Sequence, residues 1–291
     1  MRTDELYSLL DELAPKALSD AYCAKYGAYD NSGILLDAGY AAEKILFSLD
    51  LSFGALEEAA EKGCKIVVTH HPAIYAKIGN LCGGEPLHGT RDVLGTGQKL
   101  IRAVENGISV ISMHLNLDCA PYGIDESLMR GVMLSAAVAA GKKAGEGSFA
   151  EARAEKCMHE VEAGGVRGAY GRVYGVESCA PADLADSLKK TLPAGQVCVY
   201  GDSKRKISRV ASFCGAGADE EAVAFACGLG AEVIVSSDFK HHIVAAALEK
   251  GMSVIALTHY ASENYGFEKF CREVKARSGA ACIFHTDKAL L

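Results

Sequence analysis

The stretch KILFSLDLSFGALEEAAEKGCKIVVTHHP, from Lys44 to Pro72, changes its hydrophobic period twice and thereby decides the fold. KILFSLDLS is strand-like, FGALEEAAEKG carries apolar residues at helical spacing and ends on Gly63, and KIVVTHHP is a β-branched run stopped by Pro72. Beyond a glycine-rich loop, QKLIRAVENG reads as a second helix ending on Gly107, and ISVISMHLNLD as a third strand. The order β-α-β-α-β is that of a mostly parallel sheet covered by helices.

The C-terminal part repeats this grammar. ISRVASFCGAGA is a strand with a glycine turn, DEEAVAFACGLG a helix, AEVIVSSD a strand, HHIVAAALEKG a helix and MSVIALTHYASE a strand. Laid side by side, KIVVTHH matches EVIVSSD so that Asp238 falls where His71 sits, and SVISMH matches SVIALTH with the histidines one position apart. The expected class is therefore α/β, with two similar lobes from an internal duplication, each a mostly parallel or mixed sheet flanked by helices. Two unrelated units sharing strand-helix grammar are the alternative. The expected division is an N-terminal lobe over residues 1–125, a connecting segment over 126–206 and a C-terminal lobe over 207–291. The connecting segment holds two helical runs, ESLMRGVMLSAAVAAG and PADLADSLKKTL, with a loop or short hairpin around residues 142–171.

Composition narrows the class further. With 291 residues, 49% hydrophobic and 23% charged, the chain has the profile of a globular protein and not of a disordered one. A formal charge of -7 argues against a broad nucleic-acid surface, which needs a concentrated positive field. None of the eleven cysteines forms a C-x-x-C pair, so reduced and mostly buried thiols in a cytoplasmic protein are expected. No apolar run reaches the roughly 18 residues of a membrane span.

Ligands of open α/β sheets bind beyond the carboxyl ends of the strands, and that is where the polar residues gather. His70 and His71 end one strand, His114 and Asp118 another; Asp238, His241 and His242 follow a third, and His259 and Glu263 a fourth. Six of the nine histidines lie at these ends, with His88, His159 and His285 elsewhere, although His88 stands in the glycine-rich loop and could approach. Imidazole and carboxylate together suit zinc, iron, manganese, cobalt or nickel. His259 and Glu263 share a face if a helix follows the last strand. For the doublet His70-His71, the competing expectation is one buried and one exposed imidazole, as on a regular strand.

These same residues resemble a known family. IVVTHHPAIY, PLHGT, AVENGISVISMHLNLD and SSDFKHHIVAAALEKGMSVIALTHYASE, together with YDNSGILLDAG near the N-terminus, are similar to the Nif-three-like dinuclear metal proteins, part of which carry the name GTP cyclohydrolase I type 2. The resemblance spans nearly the whole chain. It implies two divalent ions held by His70, His71, Asp118, His259 and Glu263, with Asp118 or Glu263 shared and both lobes contributing to one site. It also places His114, Lys240, His241 and His242 in the same cavity and implies a homohexamer. The chain departs from the family pattern at Leu115, Thr258, Ser262 and Tyr29, none of them an implied ligand.

Two functions follow as expectations. In one the protein is a metal-dependent hydrolase acting on a nucleotide or related small molecule, with His114, His241 or His242 as general acid or base, because imidazole titrates near neutral pH. In the other it binds metal without catalysis and serves storage, delivery or partner recognition.

Overall fold

The computed structural model describes residues 1–78, 81–82 and 95–291. Residues 1–120, 162–167 and 267–287 form one compact unit, and residues 121–161, 168–266 and 288–291 form a second.

In the first unit, two helices, α1 (Thr3–Leu13) and α2 (Lys16–Tyr26), precede β1 (Gly33–Leu36). There follow β2 (Lys44–Ser48), α3 (Phe53–Lys62), β3 (Ile66–Thr69), α4 (Thr96–Glu105), β4 (Ser109–Ser112) and the short α5 (Leu115–Cys119). The continuous apolar runs of β3 and β4 are buried throughout, as parallel strands covered on both faces must be. Helix α3 starts where the Ser52 hydroxyl accepts the Ala55 amide and stops at Gly63 in a left-handed conformation; its buried face is Ala55, Leu56 and Ala59. That face packs with Leu46, Val67, Leu100 and Val110 into one core cluster. Phe47, pointing the opposite way from Leu46, meets the rings of Phe267 and Phe270.

The second unit contains α6 (Ile124–Ala139), the strands β5 (Lys156–Ala163) and β6 (Val166–Cys179), then α7 (Pro181–Thr191) and β7 (Val197–Tyr200). It continues through β8 (Ile207–Ser212), α8 (Glu220–Gly228), β9 (Val233–Ser236), α9 (His241–Glu249) and β10 (Ser253–Leu257) into the first turns of α10 (His259–Ser278), whose residues from Phe267 on belong to the first unit. Asp219 caps α8 by accepting the Ala222 amide, just as Ser52 caps α3.

Strand order makes the duplication plain. The first sheet runs β1-β4-β3-β2-β11, where β11 is Ala281–Phe284, and the second β5-β6-β8-β9-β10-β7. In each, three consecutive parallel strands are joined by helices, and the strand that precedes them in sequence pairs antiparallel with the third: β1 with β4, and β7 with β10. The fold is thus α/β with two similar sheets flanked by helices.

Three local readings change. ISVISMHLNLD is a strand only as far as Ser112, because the amides of Leu117 and Asp118 turn back to the His114 carbonyl and open α5. Residues 126–206, expected as a connecting segment, supply α6, α7 and three strands of the second sheet; β5 and β6 run 8 and 14 residues where a short hairpin was expected. Charged residues and glycines interrupt both strands, so neither shows a clean alternation in sequence. Residues 267–287, expected with the C-terminal lobe, belong to the first unit, where β11 pairs in parallel with β2 from Ala281 opposite Lys44 to Phe284 opposite Phe47. Among the described residues no helix is long and apolar enough to cross a membrane. None of the eleven cysteines, all of them among the described residues, is in a disulfide; five are buried and Cys198 is exposed.

Candidate metal centre

In the first unit the strand β3 ends abruptly. The amides of His70 and His71 both donate to the Leu49 carbonyl, at 3.1 and 3.0 Å, so consecutive side chains are not sent to opposite faces. Their rings lie 4.9 Å apart, and the His114 ring is 5.2 Å from His70 and 6.0 Å from His71. His70 is fully buried and His71 half-buried, so burial alone matches the one-in, one-out expectation while the ring spacing makes them neighbours.

Each of these imidazoles is fixed through Nδ1. His70 Nδ1 sits 2.8 Å from the Met113 carbonyl, which can only accept, so Nδ1 carries a proton and Nε2 is aimed away from that carbonyl. His71 Nδ1 donates to Asp50 and His114 Nδ1 to Asp30, each at 2.8 Å. A carboxylate or carbonyl on Nδ1 that orients Nε2 is the arrangement found behind metal-ligating histidines. Burial works to raise the Asp30 pKa, yet the hydrogen bond and charge of His114, with the hydroxyls of Ser19 and Ser32, outweigh it and hold the carboxyl well below the usual range.

Asp118 follows His114 by four residues on α5, one helical turn on, and its Oδ1 lies 3.5 Å from His70 Nε2. An imidazole nitrogen and a carboxylate oxygen facing each other at that distance accommodate a cation or a proton between them. His70, His114 and Asp118 each offer one ligand atom within 4.8 Å of the others, and these residues could hold a metal ion. His114, expected as an acid-base group, therefore stands among the ligand-type atoms.

The second unit repeats the motif at the equivalent place. β10 ends at Leu257, α10 begins at His259, and Glu263 follows four residues later with Oε2 3.1 Å from His259 Nε2. His259 Nδ1 is held at 2.5 Å by Asp238, two residues beyond β9, which adopts φ 50°, a conformation Asp tolerates better than most. Glu263 is 4% exposed and seated against Gly215. Gly215 has φ 56°, donates its amide to Ser262 Oγ at 3.0 Å, and accepts from Ser237 Oγ at 2.6 Å. A Cβ there would collide with Glu263 Oε1 and come within 3.4 Å of His259, so glycine is needed for both backbone and space.

Other sequence-derived candidates lie differently. His241 and His242 are exposed in the first turn of α9, with Lys240 at the helix N-cap, and His242 Nε2 is 3.0 Å from Glu220. His159 pairs with Glu221, and His285 with Glu58. His88 and its PLHGT segment lie outside the described residues. The orienting carboxylates of Asp50 and Asp30 were not singled out as such in the sequence; their only signal is an acidic residue just after β2 and one just before β1.

Comparison with known proteins places this geometry in context. The Duf34/NIF3 (NGG1p interacting factor 3) family profile matches residues 1–288. A GTP cyclohydrolase 1 type 2 homolog of Clostridium acetobutylicum is 27% identical over 269 residues, covering 90% of this chain and 85% of that protein. The NIF3 homolog of Schizosaccharomyces pombe is 26% identical over 270 residues, 89% of this chain and 84% of the relative. Among solved structures, a hypothetical protein of Staphylococcus aureus superposes with a TM-score of 0.75 at 23% identity, covering 98% of this chain and 96% of that one. A NIF3-related protein of Bacillus cereus gives 0.72 at 16% identity, covering 99% and 97%. At such identities the two structures speak for the fold.

Proposed function

We propose, starting from the fact that this chain belongs to the Duf34/NIF3 family, that it is a homo-oligomeric, hexameric metal-dependent hydrolase acting on a nucleotide or related small molecule. The ligands proposed for two divalent ions are His70, His71, Asp118, His259 and Glu263. The observation that carries the reading is the two facing pairs of ligand-type atoms, His70 Nε2 with Asp118 and His259 Nε2 with Glu263, each imidazole oriented from behind through Nδ1. The donor set fits zinc, iron, manganese, cobalt or nickel, since it is imidazole and carboxylate. The name of the Clostridium relative, a GTP cyclohydrolase 1 type 2 homolog, supports a purine nucleotide as substrate.

Bound ions would supply Lewis-acid polarisation of the substrate and a more acidic water. The protein's own contribution is to hold the imidazoles aimed. Met113, Asp50, Asp30 and Asp238 fix Nδ1–H, so no rotamer or tautomer change is needed when a ligand arrives. His114, in the same group as His70 and Asp118, then serves as a further ligand or hands a proton to substrate. The exposed His241 and His242 are the proton-transfer groups proposed from the second unit.

Two variants test this division of roles. His259→Ala is expected to lose at least one ion per chain. His242→Ala is expected to keep its metal while turnover drops about 10²- to 10⁴-fold, the usual cost of losing a general acid or base. Metal content, melting temperature and nucleotide turnover are measured on both. Loss of metal in His242→Ala would contradict the division, and a lower melting temperature with unchanged turnover would reduce His242 to its bond with Glu220.

A further inference from the structure

Two tyrosines stand beside the imidazole cluster of the first unit. Tyr29 and Tyr75 retain 57% and 53% of their surface exposed, although their rings meet edge to face at 5.4 Å. The Tyr75 ring in turn meets the His114 ring at 6.4 Å and 88°. Both loops that carry them are tied down. The Asn31 amide donates to the Ile74 carbonyl at 2.6 Å, and Asp30, next to Tyr29, holds His114 Nδ1. The pair is thus kept in register with the imidazoles.

Two other exposed tyrosines carry cations over their rings: Lys65 lies over Tyr40 at 5.7 Å and Arg130 over Tyr122 at 4.5 Å. Among the described residues, Tyr29 and Tyr75 have each other as ring partners, and Tyr75 also has His114. Exposed aromatic rings that are already oriented lose little entropy on binding, and a flat ligand gains both apolar burial and stacking on them. Every nucleobase has a face suited to such a surface.

We infer that Tyr29 and Tyr75 form an edge-to-face aromatic platform for a planar aromatic ring of the nucleobase class, one tyrosine stacking on the base and the other meeting it edge-on, with the remainder of the ligand directed to the imidazole cluster. This deepens the proposed function by assigning recognition of the base, and it rests on that reading only for the direction in which the ligand lies.

The test is equilibrium binding of guanosine 5′-monophosphate and of ribose 5-phosphate to the full-length protein, wild type, Tyr75→Leu, Tyr29→Leu and Tyr75→Phe. The platform predicts that each leucine variant weakens the nucleotide about 5- to 150-fold, that phenylalanine keeps it within about 3-fold, and that ribose 5-phosphate is unaffected. The chain has no tryptophan, so Tyr75→Trp adds a single reporter whose fluorescence a stacked base quenches. Equal weakening of both ligands, leucine variants that bind the nucleotide as wild type does, or a wild type that prefers neither ligand would overturn the inference. Repeating the titrations after chelation separates it from the metal reading. The base-dependent increment survives without metal if the platform is real, whereas failure of the metal reading appears as absent metal and leaves that increment in place.

Discussion

Asp118→Ala is expected to strip at least one ion from each chain and to abolish turnover with it. Asp118 is 3% exposed, one helical turn beyond His114, and its Oδ1 faces His70 Nε2 at 3.5 Å. Losing a residue that merely orients a ligand costs about 10- to 100-fold in metal affinity, so losing a ligand itself must cost more. Asp50→Asn and Asp30→Asn supply that smaller scale in the same protein, because each replaces the carboxylate behind one imidazole with a neutral amide and leaves the proposed ligands in place. Metal content after equilibration with buffered zinc ranks the three variants. An Asp118→Ala protein that holds as much metal as Asp50→Asn would remove Asp118 from the ligand set.

A second large effect is expected in stability. Asp125 and Arg172 form an ion pair in the second unit with side chains 0% and 5% exposed. Burial disfavours the Arg172 charge, but Asp125 opposite it, helped by Glu126, raises its pKa overall and keeps it charged. Asp125 also accepts the amides of Gly171 and Cys214 at 3.0 and 3.2 Å, and Cys214 immediately precedes the Gly215 seat of Glu263. Asp125→Ala leaves a buried guanidinium without its main counter-charge and two amides without an acceptor. The expected loss is about 3–5 kcal/mol, read as a lower urea midpoint at unchanged slope. Adding Arg172→Met should recover part of it, since a well-packed apolar pair can replace a buried ionic one. A single-variant loss below about 1 kcal/mol would mean that the buried pair contributes little.

The sheet cores were legible because parallel strands buried on both faces must be short, continuous and β-branched, as IVVT and VIVS are. The duplication was visible in the same runs, and the structure extends it: His114 with Asp118 and His259 with Glu263 occupy equivalent helical turns after equivalent strands. What stayed hidden depends on distant partners. β11 is four residues, ACIF, whose place beside β2 is set by register and not by any local pattern. β5 and β6 are interrupted by charged residues and glycines, so the middle segment read as a connection. The histidines could be listed from sequence, but Asp50 and Asp30 as their orienting acceptors could not, because a lone acidic residue at a strand end looks like a solvated turn.

Metal stoichiometry of the wild-type protein tests the central claim most directly. The chain is purified without chelator, reconstituted separately with zinc, iron, manganese, cobalt and nickel, and its ions are counted against protein concentration. Two ions per chain are predicted, with occupancy falling on acidification as the imidazoles take up protons. One ion or none across all five metals, with no rise on reconstitution, would contradict the dinuclear account.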